Sequence, residues 1–309
     1  LIVVGFLFQF QANSQDMFVK DNANVSVYVS NQYVFIKNAL ELKGSNSNFY
    51  LWDGGTLLQG TNGNGANRGI GKLSVYQEGT VNNFQYNYWC SPVGNVNSAT
   101  AVNNAFGIGQ FARPITQTIS TPVLILPANS YDGTAYPFAI APYWVNKFIA
   151  QSGYADWIAV GSTSTIEAGQ GFTMKGSSGT DMTTINGIKN NPDGKHQRYD
   201  FRGKPNDGNI NIAVLTGKLT LTGNPYPSAI DLQAFLLGET NSTGTAYFWE
   251  HDKMVNSHYV GDYKGGYGTY TGANVYVPAV FFTYDGSGNQ VANIGSSGNS
   301  FKRKYSPIG

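Results

Sequence analysis

One cysteine, three histidines and a charged fraction of 12% in 309 residues are the first things this sequence is short of. A single thiol, Cys90, excludes an internal disulfide framework. Its place at the end of an aromatic run, YNYWC, suits a small buried hydrophobe rather than a catalytic nucleophile. His196, His251 and His258 show neither the HExxH spacing nor an i, i+4 pair, so a histidine-rich metal centre is not indicated. Charge is scarce, about half the ordinary globular share, and nets to +1. The one basic block is Lys302, Arg303 and Lys304, too little for counterion-driven nucleic-acid binding. Long apolar runs are missing as well. Residues 1–10, LIVVGFLFQF, have the length of a signal-peptide h-region and fall short of the ~20 residues of a membrane-spanning helix. Ala12 and Ser14 stand at the −3 and −1 positions of a cleavage site, so residues 1–14 read as a signal-peptide fragment and the protein as secreted or cell-surface.

What is abundant is glycine, at 38 residues, with 20 Tyr and 18 Phe. That balance favours strands and turns over amphipathic helices, which need charged outer faces. The expected fold class is all-β: antiparallel β-sandwich or jelly-roll-like sheets with long Gly/Asn-rich loops. Strands of three to five residues spaced near ten between Val25 and Leu51 also suit an alternative, a partial β-solenoid at the N-terminus. Residues 59–71 read as an exposed Gly/Asn loop. Leu73–Tyr76 and Phe84–Trp89 read as a hairpin, with Pro92 ending the second strand. One short helix is expected near 229–237, with Ser228 as N-cap, Asp231 completing a capping box and Gly238 at C′. Residues 190–209 hold about a fifth of the charges and read as a charged loop or linker between a β domain at 15–189 and a second at 210–309.

Candidate site residues are few. Asp193, Asp200 and Asp207 recur every seven residues among Gly194, Gly203 and Gly208, offering hard oxygen ligands on a bent loop, so Ca²⁺ is the one cofactor suggested. Pairing with Lys195, Arg198, Arg202 and Lys204 is the plainer use of the same aspartates. Tyr259, Tyr263, Tyr267 and Tyr270 interleave with glycines and could present flat faces to sugar rings, against the plainer reading of rim packing. Hydrolysis by a carboxylate pair would draw on Asp193, Asp200, Asp207, Glu250, Asp252 or Asp262, but needs two of them facing across a cleft.

The stretches GKLSVYQEGT (71–80), YNYWCSPVG (86–94), IEAGQGFTMKG (166–176), NNPDGKHQRYDFRGKPNDG (190–208) and GNPYPSAID (223–231) together resemble a family of large secreted surface proteins of Bacteroidetes, Flavobacterium-like members included. The resemblance covers nearly all of the chain after residue 14. It implies export by the type IX secretion system, a role in adhesion or gliding, and a C-terminal sorting domain that these 309 residues stop short of. It carries over no catalytic residue. The expectation is therefore a secreted structural or adhesive protein without catalytic activity. Carbohydrate binding within a polysaccharide-utilising system is the alternative and a secreted hydrolase the third reading. An extracellular glycan and the secretion machinery are the expected partners, with no nucleic acid and no membrane span.

Overall fold

The computed structural model describes residues 16–60, 66–100, 102–300 and 305–308. Residues 1–14, expected as a signal-peptide fragment, lie outside these, as do 61–65 of the expected loop. The all-β class holds, and at the N-terminus the strands stack in parallel, as coils. Met17 pairs with Leu40, Ser26 with Asn48 and Tyr33 with Thr56, a repeat of about 23 residues. A third coil follows through Arg68–Gly69 and Lys72–Glu78. This is the solenoid arrangement. Alternation explains what fills it, because residues two apart in a strand share a face. Val19, Leu40, Leu42, Phe49, Leu51, Leu73 and Val75 point inward and are buried.

Asn67 closes the corner between coils. Its carboxamide accepts from the Leu40 amide (2.8 Å) and donates to the Pro205 carbonyl (3.0 Å), satisfying buried backbone that no strand partner reaches. Gly69 sits at φ +90, where a Cβ would lie 1.8 Å from the Leu42 carbonyl oxygen, so only glycine fits there.

The coil stack ends at Lys72–Glu78, which pairs on its other side with Arg198–Pro205 in antiparallel register, Arg202 opposite Ser74. That strand in turn meets Phe111–Pro114 and then Ser120–Pro122, giving one mixed sheet. The stretch read as a charged loop or linker thus contains an inner strand. The pattern misleads because its charges occupy alternate positions: Arg198, Asp200, Arg202 and Lys204 share one face, while Tyr199 and Phe201 enter the core.

A second sheet, ordered Ile158–Ala159, Asn146–Lys147, Gly171–Lys175 and Tyr86–Cys90, faces the first. Trp89 meets Tyr199 and Phe201 with ring centroids 5.5 Å apart, and Phe172 lies over Phe106 and Phe111. The expected hairpin between Leu73–Tyr76 and Phe84–Trp89 does not form. Trp89 and Phe201 belong to opposite layers of one core, so the two strands lie in different sheets and find partners far along the chain.

The two proline bends meet directly. Asn206 donates to the carbonyls of Ser91 (3.1 Å) and Pro225 (3.0 Å), and Gly223 packs so closely on Cys90 that a Cβ would come within 2.6 Å of its Cβ. Beyond GNPYPSAID comes the helix Leu232–Gly238, capped by Asp231, whose carboxylate accepts the Ala234 amide at 2.9 Å. The start lies past the expected one because Ile230–Asp231 is strand, paired with Tyr305–Ser306, which leaves Ser228 upstream of the first turn. A third sheet of Thr245–His251, Lys264–Thr271, Val275–Val277, Val280–Tyr284 and Gln290–Ser296 closes on a small core of Leu232, Leu236 and Tyr270.

On the same side of its strand as Phe111, Arg113 forms a buried bidentate pair with Asp181 at 2.6 and 2.8 Å, supported by Thr183 and Asn190. Burial would raise the Asp181 carboxyl, but the Arg113 guanidinium holds it below the usual range. Arg113→Ala leaves that carboxylate buried without its countercharge, and a urea denaturation series is expected to show a loss of about 3–5 kcal/mol.

Candidate functional site

The Gly171–Lys175 strand turns Phe172 and Met174 into the core and Thr173 and Lys175 the other way, toward the chain that follows the third sheet's first strand. Lys175 is 6% exposed. Its Nζ lies 3.7 Å from the centroid of Trp144, 5.1 Å from Tyr86 and 5.2 Å from Tyr263, a three-ring cage for a cation. Nζ donates to Tyr263 Oη at 2.5 Å and lies 3.0 Å from His258 Nδ1, while His258 Nε2 lies 3.0 Å from Asp132 Oδ1. A carboxylate only accepts, so Nε2 carries the proton and Nδ1 is left to accept from Lys175. Burial pushes the Lys175 amine down to about 7, against the pull of Asp132. Burial would raise Asp132, but hydrogen bonds from Asn83 and His258 hold it below the usual carboxylate range.

Trp144 links this buried cluster to the surface. One face stacks on His258, 5.1 Å away and 17° from parallel, and its Nε1 donates to the Tyr131 carbonyl at 2.7 Å. Tyr143 lies 4.6 Å from Trp144 and 4.7 Å from Tyr131. Tyr131 and Tyr143 are each about half exposed, at 49% and 46%. The three rings make a continuous ledge, rimmed by the Asp132 carboxylate and the Asn83 amide that donates to it. Beneath Tyr131 and Trp144 a shallow depression reaches down to Lys175. Exposed rings beside amide and carboxylate groups can pack on the flat faces of a polar ligand and hydrogen-bond its edges.

The family described as Domain of unknown function (DUF8693) matches residues 4–302. The chain belongs to the DUF8693 family. Comparisons with curated proteins and with solved structures find no match.

In this DUF8693 chain the four candidate tyrosines do not form one platform. Tyr263 joins the lysine cage. Tyr259, across the short turn Val260–Asp262, is exposed and packs near Gly286. Tyr267 rests on Trp249 at 5.1 Å and touches the Tyr88 hydroxyl at 3.5 Å. Tyr270, three residues further along the same strand, faces the other way into the small core and donates to Asn274.

The three aspartates are likewise apart. Asp193 occupies a turn and binds His196 Nδ1 at 2.9 Å, Asp200 is fully buried under the first sheet's outer face, and Asp207 receives Asn103 at its backbone. Between them the strand advances roughly 3.3 Å per residue, which carries a seven-residue repeat along the sheet instead of around an ion. Among the described residues, no group of three or more His, Cys, Asp or Glu side chains is placed to hold a metal. Glu250, one of the acidic candidates, is buried, and its carboxylate accepts from Tyr276, from Asn299 and from the Ala279 amide (3.3 Å). Burial lifts the Cys90 thiol to about 12, which leaves it protonated and unreactive at neutral pH.

Sequence reasoning missed Trp144, Lys175, His258 and Asp132. A lone lysine closing the otherwise apolar strand GFTMK was the available signal. The Asp132–His258 contact spans 126 residues and leaves no local trace.

Asp200 faces Ser74, Ser120, Tyr76 and, at 3.8 Å, Arg202; burial lifts its carboxyl to about 7 against these partners. A carboxyl raised in the folded state gives stability that is full below about pH 4 and lost as pH climbs through about 7. Asp200→Asn should therefore flatten the decline of the thermal midpoint between pH 5 and 8, read by calorimetry on both proteins.

Proposed function

We propose that this protein is an extracellular, non-catalytic binding protein of the cell surface, adhesive or structural in role, and that its contact surface is the ledge of Tyr131, Tyr143 and Trp144. The observation that carries this reading is the run of three contiguous rings, two half exposed, on a rim of amide and carboxylate groups. Saccharides are the ligand class that fits, because pyranose rings offer apolar C–H faces to aromatic rings and hydroxyls to Asn83 and Asp132.

Support for an extracellular setting comes from the apolar run at residues 1–10 with Ala12 and Ser14 behind it, and from the resemblance to secreted Bacteroidetes surface proteins. The same resemblance supports passage through the type IX machinery, which would make that machinery a transient partner. Among the described residues no helix is long and apolar enough to cross a membrane.

Retention on immobilised polysaccharides tests the ledge. Tyr143→Ala and Tyr131→Ala should each weaken retention by on the order of tenfold, the effect of losing roughly 1.4 kcal/mol of ring contact. Tyr267→Ala, on a separate surface, should leave retention unchanged. Equal retention by all three variants would reject the ledge, and release of new reducing ends from the polysaccharide would reject the non-catalytic reading.

A further inference from the structure

His258 reaches the ledge from residues 252–263, which leave the third sheet after His251 and rejoin it at Lys264. This segment lies against the second sheet through a small set of polar contacts. Gln85 donates to the carbonyls of Lys253 (2.9 Å) and Val255 (3.2 Å), Asn82 donates to Asn256 (2.8 Å), and Lys253 donates to the Thr80 carbonyl (3.4 Å). Tyr263 accepts from Lys175 and donates to the Phe84 carbonyl (3.5 Å), His258 meets Asp132, and one further contact pairs two bases. Lys175 Nζ and His258 Nδ1, 3.0 Å apart, are hydrogen-bonded only while one of them lacks a proton on the shared side. With Nε2–H directed at Asp132, that side is Nδ1. A further proton would set two cations 3.0 Å apart between the rings of Trp144, Tyr86 and Tyr263, where water screens them poorly.

We propose that the Lys175–His258 contact is a proton-operated tie: docking of residues 252–263 disfavours protonation of the pair, and acidification that protonates it releases the segment and with it the wall behind the Tyr131–Trp144 ledge. Only the last step, loss of ligand binding, rests on the ledge being the binding surface.

The groups around the tie set its direction. Asp132, His258, Tyr263 and Tyr86 face Nζ; Tyr131 and Tyr143 lie beyond Trp144, and Tyr154 beyond Tyr263. Asp252, Lys253 and Asp262 belong to the segment itself, with Lys264 at its end. Lys253 is engaged at Thr80 and Asp262 with the Ser257 hydroxyl (2.7 Å). Burial raises the Tyr86 and Tyr263 hydroxyls, and Tyr131 beside it raises that of Tyr143, so all stay neutral below about pH 9. Asp132 is held below its usual range and remains an anion throughout. The Lys175 amine, depressed from 10.5 to about 7, contributes docking stability that is fully present above about pH 10.5 and lost as pH falls through about 7. Acid therefore opens the tie.

Hydrogen exchange of the full chain, followed by mass spectrometry between pH 9 and 5.5 and corrected for intrinsic rates, tests this. The opening constant of residues 252–263 should rise toward tenfold per pH unit as pH falls from 9 toward about 7, the slope for one proton taken up on release, and level off below. Lys175→Met should flatten the profile. A wild-type profile independent of pH, or an unchanged slope in Lys175→Met, would overturn the tie. Polysaccharide retention on the same samples separates the two readings. Exchange that follows pH with no retention at pH 8 rejects the ledge and leaves the tie standing. Equal retention at pH 8 and 5.5 while the segment opens overturns the link between them.

Discussion

Everything in this molecule is built outward from the backbone ladder between Lys72–Glu78 and Arg198–Pro205. On one side of it strands run parallel, coil upon coil, and on the other they run antiparallel and are drawn from distant parts of the chain. A parallel stack of coils exposes a row of unpaired amides and carbonyls at its end, and an unpaired edge invites association with another chain. Here an eight-residue strand covers that edge and simultaneously delivers Tyr199 and Phe201 to the aromatic core.

The same strand determines how charge is used. Its opposite face carries Arg198, Asp200, Arg202 and Lys204 into surroundings that are nearly dry, and each is accommodated differently. Arg198 lies 5.0 Å over the ring of Trp52, Asp200 relies on Arg202 and flanking hydroxyls, and Lys204 donates to the Ser98 carbonyl at 2.5 Å. Lys175 repeats the solution one sheet away, with three rings and an imidazole in place of a counterion at close range. A chain with few charges has placed several of them inside, where their protonation is coupled to the fold.

The all-β class, the end of the Tyr86–Cys90 strand before Pro92, and the existence of a short helix after GNPYPSAID were legible because each depends on residues adjacent in sequence, although Gly238, expected just past the helix, is its last residue. Partner choice was not. The strand Lys72–Glu78 has its antiparallel mate more than a hundred residues away, and nothing in its own composition distinguishes that from a local hairpin. The charged stretch misled for a related reason: alternation of charged and aromatic residues is also what a strand between a polar layer and a core looks like, and reading it required both layers. The site shows the same division. Tyr263 was one of four tyrosines in a glycine-rich tract, but its neighbours there diverge by strand alternation, while the residues it does meet, Phe84, Tyr86 and Lys175, come from far earlier in the chain.

Among the described residues, Met17–Val19, Ser26–Ser30 and Tyr33–Ile36 are the outermost members of their ladders. Because each coil repeats the register of the next, a coil is a unit of heredity as much as of structure. Duplicating or deleting about 23 residues there would change the height of the stack by one storey, roughly 4.8 Å. The sandwich and the ledge would be untouched. Length in this part of the molecule can therefore drift between relatives as a reach, a distance at which the rest is held.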